Sequence, residues 1–280
     1  MKVSGMLLTV KYLGMYVGLR EILRRLSGVS YKLLCVKVSS STEFRLLRRL
    51  VAESSSGRLK IRCEDDWLEV SAPFGSFAVK HSDLNLLSVV TESLEEMYLP
   101  RDGAPKDVVV DVGSFIGDTA LMFAWYGARR VYALEPVPEH FNYMVQNLKR
   151  NEHGSRVVPI MAGVWIRSGE LEISYCGIGS GLCESDRKVR IKVMKLGDVL
   201  RRVVSAEGKV DLMKMDCEGC EAAILIEPCE VLRMCPEYVI EVHGPPLAII
   251  DKMMGCGFRH ELVRKVSDII TVYRFSLNEI

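Results

Sequence analysis

The chain has 280 residues, of which 49% are hydrophobic and 26% are charged. This composition is typical of a globular protein with one large domain, or with one domain and a smaller appendage. A formal net charge of +1 argues against nucleic acid as a partner of the whole molecule. The apolar run Met6–Leu19 contains Lys11 and is shorter than the ~20 residues of a spanning helix, so we expect neither a signal peptide nor a transmembrane segment.

The charge is divided unevenly along the chain. From Met1 to Arg62, 13 Lys and Arg residues stand against three acidic residues, a net charge of +10 that leaves −9 for the remainder. We interpret this asymmetry as attraction between the two parts of the chain. An anionic partner, such as RNA or a membrane face, is the alternative.

The nine cysteines are odd in number and scattered along the chain. They predict a reducing, cytoplasmic environment rather than a disulfide framework, with the cytosol of a thermophile as the exception. Cys217 and Cys220 form a C-x-x-C, but the spacing to Cys229 and Cys235 does not fit a zinc ribbon. We therefore expect neither zinc nor a redox pair at these cysteines.

The chain before Lys106 predicts an α+β region of helices followed by short strands. Its apolar residues recur first at helical spacing and then in alternation, with breaks rich in Gly, Ser and Asp. No group of residues in this region forms a catalytic pattern. In chain order, we predict an amphipathic helix over Leu8–Leu26, a helix over Glu43–Glu53, a small β-meander over Leu59–Val79, a helix over Asp83–Tyr98 and a linker at Pro100–Pro105.

A glycine loop follows the first β-branched run after this region. Val108–Gly113 predicts a buried parallel strand, and the loop Gly113–Thr119 leads into an apolar helix that Asp118 can cap. An acid, Asp111, precedes Gly113 where the dinucleotide-binding motif G-x-G-x-x-G requires glycine. This acid suits a cationic amino group better than a pyrophosphate. The string D-x-G-x-x-x-G resembles the first motif of the class I methyltransferases that use S-adenosylmethionine (SAM).

The next predicted strand, Arg130–Glu135, ends in an acid about twenty residues beyond the glycine loop, where a Rossmann-type unit reaches ribose hydroxyls. A third strand, Val157–Ile160, runs into Ala162. Leu171–Tyr175 and Val189–Val193 then predict a pair of strands on either side of a glycine-rich loop. No lysine follows that loop in Walker fashion, so we interpret it as a hairpin or a substrate loop.

Two further buried strands end in titratable side chains. Val210–Met215 runs into Asp216 and Glu218, and the strand after it runs into Glu241 and His243. Because the carboxyl ends of parallel strands meet at one edge of a sheet, where α/β folds bind ligands, we expect these side chains to converge.

Four strings, VVVDVGSFIGDT, VYALEPVPEHFNYMVQNLKRN, DLMKMDCEGCE and YVIEVHG, resemble the FkbM family of class I SAM-dependent methyltransferases in order and spacing. The resemblance extends over Asp107–Gly244. It implies a Rossmann-like, doubly wound, seven-stranded α/β sheet over residues 106–280, behind the α+β region of residues 1–105. The last strand, Ile269–Phe275, is antiparallel in such a sheet. The resemblance further implies SAM as the cofactor and O-methylation of a small molecule or sugar.

The expected site residues follow from these motifs. His243 is our first candidate for the general base, because an unperturbed imidazole titrates near neutrality, and Asp216 and Glu218 come next. Asp111 would hold the methionine amino group, directly or through water. We assign no metal, and a divalent cation held by Asp216, Glu218 and Glu241 is the alternative. The residues expected to bind the cofactor are Asp111, Gly113, Ser114, Phe115, Gly117, Asp118, Glu135, Pro136, Ala162 and Asp216.

Two other functions remain open at this point. An RNA or protein methyltransferase would use the basic N-terminal region to bind its acceptor. A SAM-binding module would bind the cofactor without turnover. We expect a small-molecule or glycan acceptor rather than nucleic acid, and the sequence does not indicate an oligomeric state.

Overall fold

The computed structural model describes residues 41–100, 106–175 and 187–278. The predicted helix over Leu8–Leu26 and the glycine-rich loop after Tyr175 lie outside these ranges. Within them, no helix is long and apolar enough to cross a membrane.

Contacts divide the chain into two compact units, Met1–Leu94 and Glu95–Ile280. The domain limits predicted from the sequence, 1–105 and 106–280, stay a prediction. The described elements of the first unit are helix α1 (Ser41–Ser55), strands β1 (Lys60–Glu64), β2 (Trp67–Ala72) and β3 (Gly75–Lys80), a 3₁₀ helix (His81–Leu87) and helix α2 (Ser88–Ser93).

The first unit confirms the predicted meander, because β1, β2 and β3 pair in sequence as antiparallel neighbours. The single helix predicted over Asp83–Tyr98 is wrong. The chain forms a 3₁₀ turn and a short helix instead, and Asp83 itself has a non-helical backbone. Leu84, Leu87 and Val90 are buried at steps of three residues, the spacing at which side chains align on a 3₁₀ helix.

The second unit contains a seven-stranded sheet with the order β12-β13-β11-β10-β4-β5-β6. Six of these strands run in the same direction, and β13 runs antiparallel to its two neighbours, β11 and β12. Its strands and helices are β4 (Val108–Val112), α3 (Asp118–Tyr126), β5 (Arg130–Leu134), α4 (Pro138–Arg150), β6 (Val157–Ile160), β7 (Gly163–Trp165), β8 (Gly169–Ser174), β9 (Lys188–Lys195), α5 (Leu196–Glu207), β10 (Leu212–Met215), α6 (Ala223–Ile226), α7 (Cys229–Leu232), β11 (Glu237–His243), α8 (Leu247–Gly255), β12 (Phe258–Lys265) and β13 (Ile270–Leu277).

This topology confirms the predicted doubly wound α/β fold with an antiparallel last strand. The predicted pair of strands is also confirmed: β8 and β9 are antiparallel and form a small second sheet with β7. All five residues of β4 are buried, as expected for a β-branched strand at the centre of a covered parallel sheet.

The strand order reverses between β4 and β10. After β4 the chain adds β5 and β6 on one side, and it later adds β10 and β11 on the other. The loops that follow β4 and β10 therefore leave the same edge in opposite directions. Ligands of open α/β sheets bind in the crevice that opens at such a point.

Candidate active site

The loops after β4 and β10 touch through their backbones. Gly113 has a φ of +78°, and a Cβ added there would lie 1.8 Å from the carbonyl oxygen of Asp216. A side chain at Gly113 would both strain the backbone and collide with the neighbouring loop. This glycine therefore brings the two predicted ligand loops together.

Each of these two loops also has a residue other than glycine in a left-handed backbone conformation. The φ is +48° at Phe115 and +55° at Glu218. Such a conformation costs roughly 1–3 kcal/mol and is often retained at functional sites. Asp65 and Glu96 are the other two such residues in the described ranges, so the feature is concentrated at the crevice but not confined to it.

Asp111 and Lys214 form a buried ion pair on adjacent strands. The Nζ of Lys214 lies 3.1 Å from Oδ1 of Asp111 and donates a hydrogen bond to the Gly113 carbonyl oxygen at 2.8 Å. Thr119 donates to Oδ2 of Asp111 at 2.7 Å. Burial alone would lower the pKa of Lys214, but Asp111 and Asp216 reverse this effect and raise it. Asp111 is fully buried, and through Lys214 it stabilises the start of the glycine loop at Gly113.

Glu135, the predicted ribose ligand, connects the glycine loop to the start of α4. Its Oε2 accepts a hydrogen bond from the backbone N–H of Phe115 at 3.0 Å, and its Oε1 accepts one from that of Val137 at 2.8 Å. The side chain is buried. Oε1 also lies 3.5 Å from Nδ1 of His140, so the lone pair that remains for another donor is on Oε2.

The other predicted cofactor residues lie around the same loop. Ser114 is buried and donates its hydroxyl to the backbone oxygen of Asp111 at 2.9 Å. The predicted cap at Asp118 is wrong, because the N-cap of α3 is Gly117 and no side chain hydrogen-bonds there. Asp118 instead occupies the first helical position, where a negative charge suits the helix dipole. Pro136 and Ala162 are the second residues of the loops after β5 and β6.

His243 lies among three carboxylates. Its Nε2 is 3.4 Å from Oε1 of Glu241 and 3.5 Å from Oε2 of Glu218, and its Nδ1 is 3.5 Å from Oε1 of Glu221. Burial alone would lower the pKa of His243, but Glu221, Glu241 and Glu218 together raise it to about 10. The pKa of His243 is therefore well above the near-neutral value on which its choice as general base was based.

Sequence reasoning assigned no role to Glu221. Its Oε1 accepts a hydrogen bond from the backbone N–H of His243 at 2.8 Å, and its Oε2 accepts one from that of Gly219 at 2.9 Å. These contacts connect the loop after β10 to the end of β11. The final acid of the string D-C-E-G-C-E therefore holds the strand end on which His243 lies.

Tyr98 is a second residue that the sequence did not identify. Its hydroxyl lies 3.1 Å from Oδ2 of Asp216 and 3.0 Å from Oε2 of Glu241. Burial, followed by these two carboxylates, raises the pKa of Tyr98 well above its ordinary value, so the phenol keeps its proton. The two contacts span 118 and 143 residues of sequence, and no local pattern could have indicated them.

The expected convergence of the four titratable residues is found at the ends of β10 and β11. Asp216, Glu241 and His243 each offer a ligand atom, and these atoms lie within 4.8 Å of one another. Glu218 is outside that group, although it approaches His243. The side chains of Asp216 and Glu218 are 31% and 33% exposed, whereas that of His243 is only 5% exposed. Burial raises the pKa of both carboxyls.

The cysteines differ from expectation. Cys217 is paired with Cys220 and Cys229 with Cys256, and Cys63 is also disulfide-bonded. Cys235 is the one free, buried thiol within the described ranges. The expectation of reduced cysteines is therefore wrong there, and for Cys229 and Cys256 the fold brings together sulfurs that are 27 residues apart in sequence. The C-x-x-C forms a disulfide across the loop that carries Glu218.

Comparison with protein families gives one match. The family model described as the methyltransferase FkbM domain matches residues 111–260, more than half of the chain. The match spans both ligand loops, from Asp111 to beyond His243. No curated protein matches the chain.

Several solved structures resemble the chain at low similarity. The methyltransferase FkbM from Methylobacillus flagellatus KT is 16% identical with a TM-score of 0.42, over 89% of this chain and 63% of that one. The complex of aTrm5 with tRNALeu is 15% identical with a TM-score of 0.41, over 79% and 53%. A precorrin-6y methyltransferase from Geobacter metallireducens is 12% identical with a TM-score of 0.40, over 68% and 88%. The chain thus spans about half the length of the tRNA-bound protein, and similarities this low carry no argument about an acceptor.

Proposed function

The chain belongs to the FkbM methyltransferase family, and we propose that it transfers a methyl group from SAM to a hydroxyl oxygen of a small molecule or sugar. One observation carries this proposal: the glycine loop after β4 meets the acid-lined end of β10 at Gly113 and Asp216. A methyl donor held by the first loop would then lie beside carboxylates able to take a proton from an acceptor.

The residues of the crevice suit the groups that SAM presents. Its ribose hydroxyls match the remaining lone pair on Oε2 of Glu135, and its ammonium matches the acidic end of β10. Phe115 is partly exposed, and its ring centroid lies 4.3 Å from that of His140. When bound, SAM supplies a methyl group on a positively charged sulfur, which takes the electron pair of the breaking C–S bond.

Asp111 supports this cofactor from a distance. Its carboxylate is fully buried and engaged by Lys214 and Thr119, so a cofactor would not reach it unless these contacts opened. We therefore assign it the positioning of the Gly113 loop. Ser114 and Asp118 are buried on the same side and fit the same role.

Among the three candidate bases, the geometry favours Glu218. Both ring nitrogens of His243 face carboxylates, and its side chain is almost completely buried. Asp216 is more open, but its Oδ2 faces the Tyr98 hydroxyl. Glu218 is a third exposed, and within the described ranges its carboxylate forms an ion-pair contact with His243 alone. We assign the proton transfer to Glu218. His243, at the end of β11, is assigned the role of holding the Glu218 carboxylate in position.

Transfer of a radiolabelled methyl group tests this proposal. The full chain is incubated with methyl-labelled SAM and an extract separated into RNA, protein, lipid and small-molecule fractions. Label in the small-molecule or glycan fraction supports the proposal, and label in RNA or protein supports the alternative that uses the basic N-terminal segment. Measurable SAM affinity without label in any fraction would indicate a binding module without turnover.

A further inference from the structure

We propose that Asp216, Glu241 and His243 form a binding site for a divalent cation, with Mn²⁺ as the best-suited ion. The cation would lie at the ends of β10 and β11, on the acceptor side of the crevice. The existence of the site is independent of the proposed function. Its use, to hold the acceptor hydroxyl, rests on that function.

The geometry of the three side chains fits one ion. Their ligand atoms lie within 4.8 Å of one another. In an octahedral ion with ligands at about 2.1 Å, adjacent ligands lie about 3.0 Å apart and opposite ligands about 4.2 Å apart. The side chains therefore close by at most roughly 2 Å to bring all three into coordinating distance, and three positions remain for water or an acceptor.

The hydroxyl of Tyr98 indicates that a positive charge is missing between the carboxylates. A phenol has one proton, yet two carboxylate oxygens, from Asp216 and Glu241, lie within 3.1 Å of its oxygen. One of the two contacts therefore joins two oxygens that need a further proton or a cation between them. A cation shared by both carboxylates removes this repulsion.

The excess of acidic side chains around His243 also favours a bound cation. Asp216, Glu218, Glu221 and Glu241 surround His243, which can carry at most one positive charge. Lys214 is engaged mainly by Asp111 at 3.1 Å and lies 4.0 Å from Asp216. Glu241 is only 13% exposed, and it shares His243 with Glu218 and Glu221, so the carboxylates near His243 outnumber its single charge.

His243 is the observation that distinguishes this site from a plain group of acids. Its side chain is nine-tenths buried or more, and its Nδ1 has no hydrogen-bond partner within the described ranges. Nδ1 lies towards Glu221 while Nε2 lies 3.4 Å from Glu241. A carboxylate beside the far nitrogen is the arrangement that orients a metal-binding imidazole.

The ligand types decide between ions. The two carboxylates match Mn²⁺, a first-row ion that favours oxygen ligands, and the imidazole disfavours the oxygen-only ions Mg²⁺ and Ca²⁺. Thiolates would favour a softer ion, but Cys217 and Cys220 are joined in a disulfide. At the open positions, a cation would lower the pKa of an acceptor hydroxyl, whose proton then passes to Glu218.

Direct metal binding tests the site without any assay of activity. The full chain is treated with EDTA, dialysed and titrated with Mn²⁺ in the absence of SAM. We expect one bound ion per chain, with affinity at least tenfold weaker in Asp216→Asn and Glu241→Gln. Asp251→Asn is the matched control, because Asp251 is exposed on α8, and it should bind Mn²⁺ as the natural chain does. No binding, or equal affinity in Asp216→Asn, would overturn the site.

Electron spin-echo spectroscopy of the Mn²⁺-loaded natural chain provides a test that needs no folded variant. We expect modulation from one imidazole nitrogen, and its absence would also overturn the site. If SAM alone neutralises the carboxylates, Mn²⁺ will not bind and Asp216→Asn will weaken only SAM binding. If Mn²⁺ binds and supports no methyl transfer, the site stands and the proposed function fails. Methyl transfer that persists in EDTA would contradict the use of the ion.

Discussion

The ammonium group of Lys214 lies 3.1 Å from the carboxylate of Asp111, and both side chains are almost completely inaccessible to solvent. The pair connects two adjacent central strands directly below the glycine loop. Because a buried charge is costly when its partner is removed, this relationship determines how the crevice responds to mutation.

Replacing Lys214 with methionine should destabilise the protein strongly. The substitution leaves Asp111 charged, buried and without its cation, which costs about 3–5 kcal/mol of unfolding free energy. Urea denaturation of Lys214→Met measures this loss. Lys192→Met, at an exposed position of β9, is the control and should change stability little. Equal stability of the two variants would contradict the account of the ion pair.

A methyl group at Gly113 should separate the two ligand loops. In Gly113→Ala the new Cβ would meet the Asp216 carbonyl oxygen at 1.8 Å, so we expect SAM affinity to fall at least tenfold. Gly208→Ala is a matched control, because Gly208 has a similar φ of +82° but nothing within 4 Å of its Cβ. Gly208→Ala should lower stability through backbone strain and leave SAM affinity unchanged. Calorimetric titration with SAM checks both, and similar affinities would refute the role of Gly113.

Removal of the proposed base should affect turnover more than cofactor binding. A general base contributes about 10²–10⁴-fold to a rate, so Glu218→Gln should lower kcat by at least 100-fold and change SAM affinity little. Glu230→Gln, at an exposed position of α7, should leave kcat unchanged. If Glu218→Gln retains full turnover, the proton passes to another group and Asp216 becomes the next candidate.

The two disulfides of the second unit should contribute unequally to stability. Cys229 and Cys256 are 27 residues apart, whereas Cys217 and Cys220 are three apart. Loop-closure entropy gives about 3–4 kcal/mol for the longer loop and about 2 kcal/mol for the shorter one. Thermal unfolding of the two double alanine variants measures the difference. A larger effect from the shorter loop would contradict the entropic explanation.

Sequence periodicity was sufficient for much of the fold and for part of the site. The buried β-branched strands and the acids that end them were recognisable because a parallel strand covered on both faces must be apolar throughout. Asp111 could be located in this way, but its contact with Lys214 could not. A lysine within an apolar strand has no local signature that identifies its partner on the neighbouring strand.

Long-range contacts account for what the sequence did not indicate. Tyr98 was predicted to end a helix, and it instead reaches two carboxylates more than one hundred residues away. The pKa of His243 depends on acids from two different loops, so an isolated imidazole was the wrong reference. The disulfide between Cys229 and Cys256 likewise follows from tertiary proximity rather than from spacing.

The most direct test of the central claim is the chemical identity of the methylated product. The chain is incubated with SAM that carries ¹³C in its methyl group, and the small-molecule and glycan fraction is examined by carbon NMR. We expect a new signal from a methyl carbon bound to oxygen, absent when Glu218→Gln replaces the natural chain. A methyl signal bound to nitrogen or carbon, or label confined to RNA or protein, would contradict O-methylation of a small molecule or sugar.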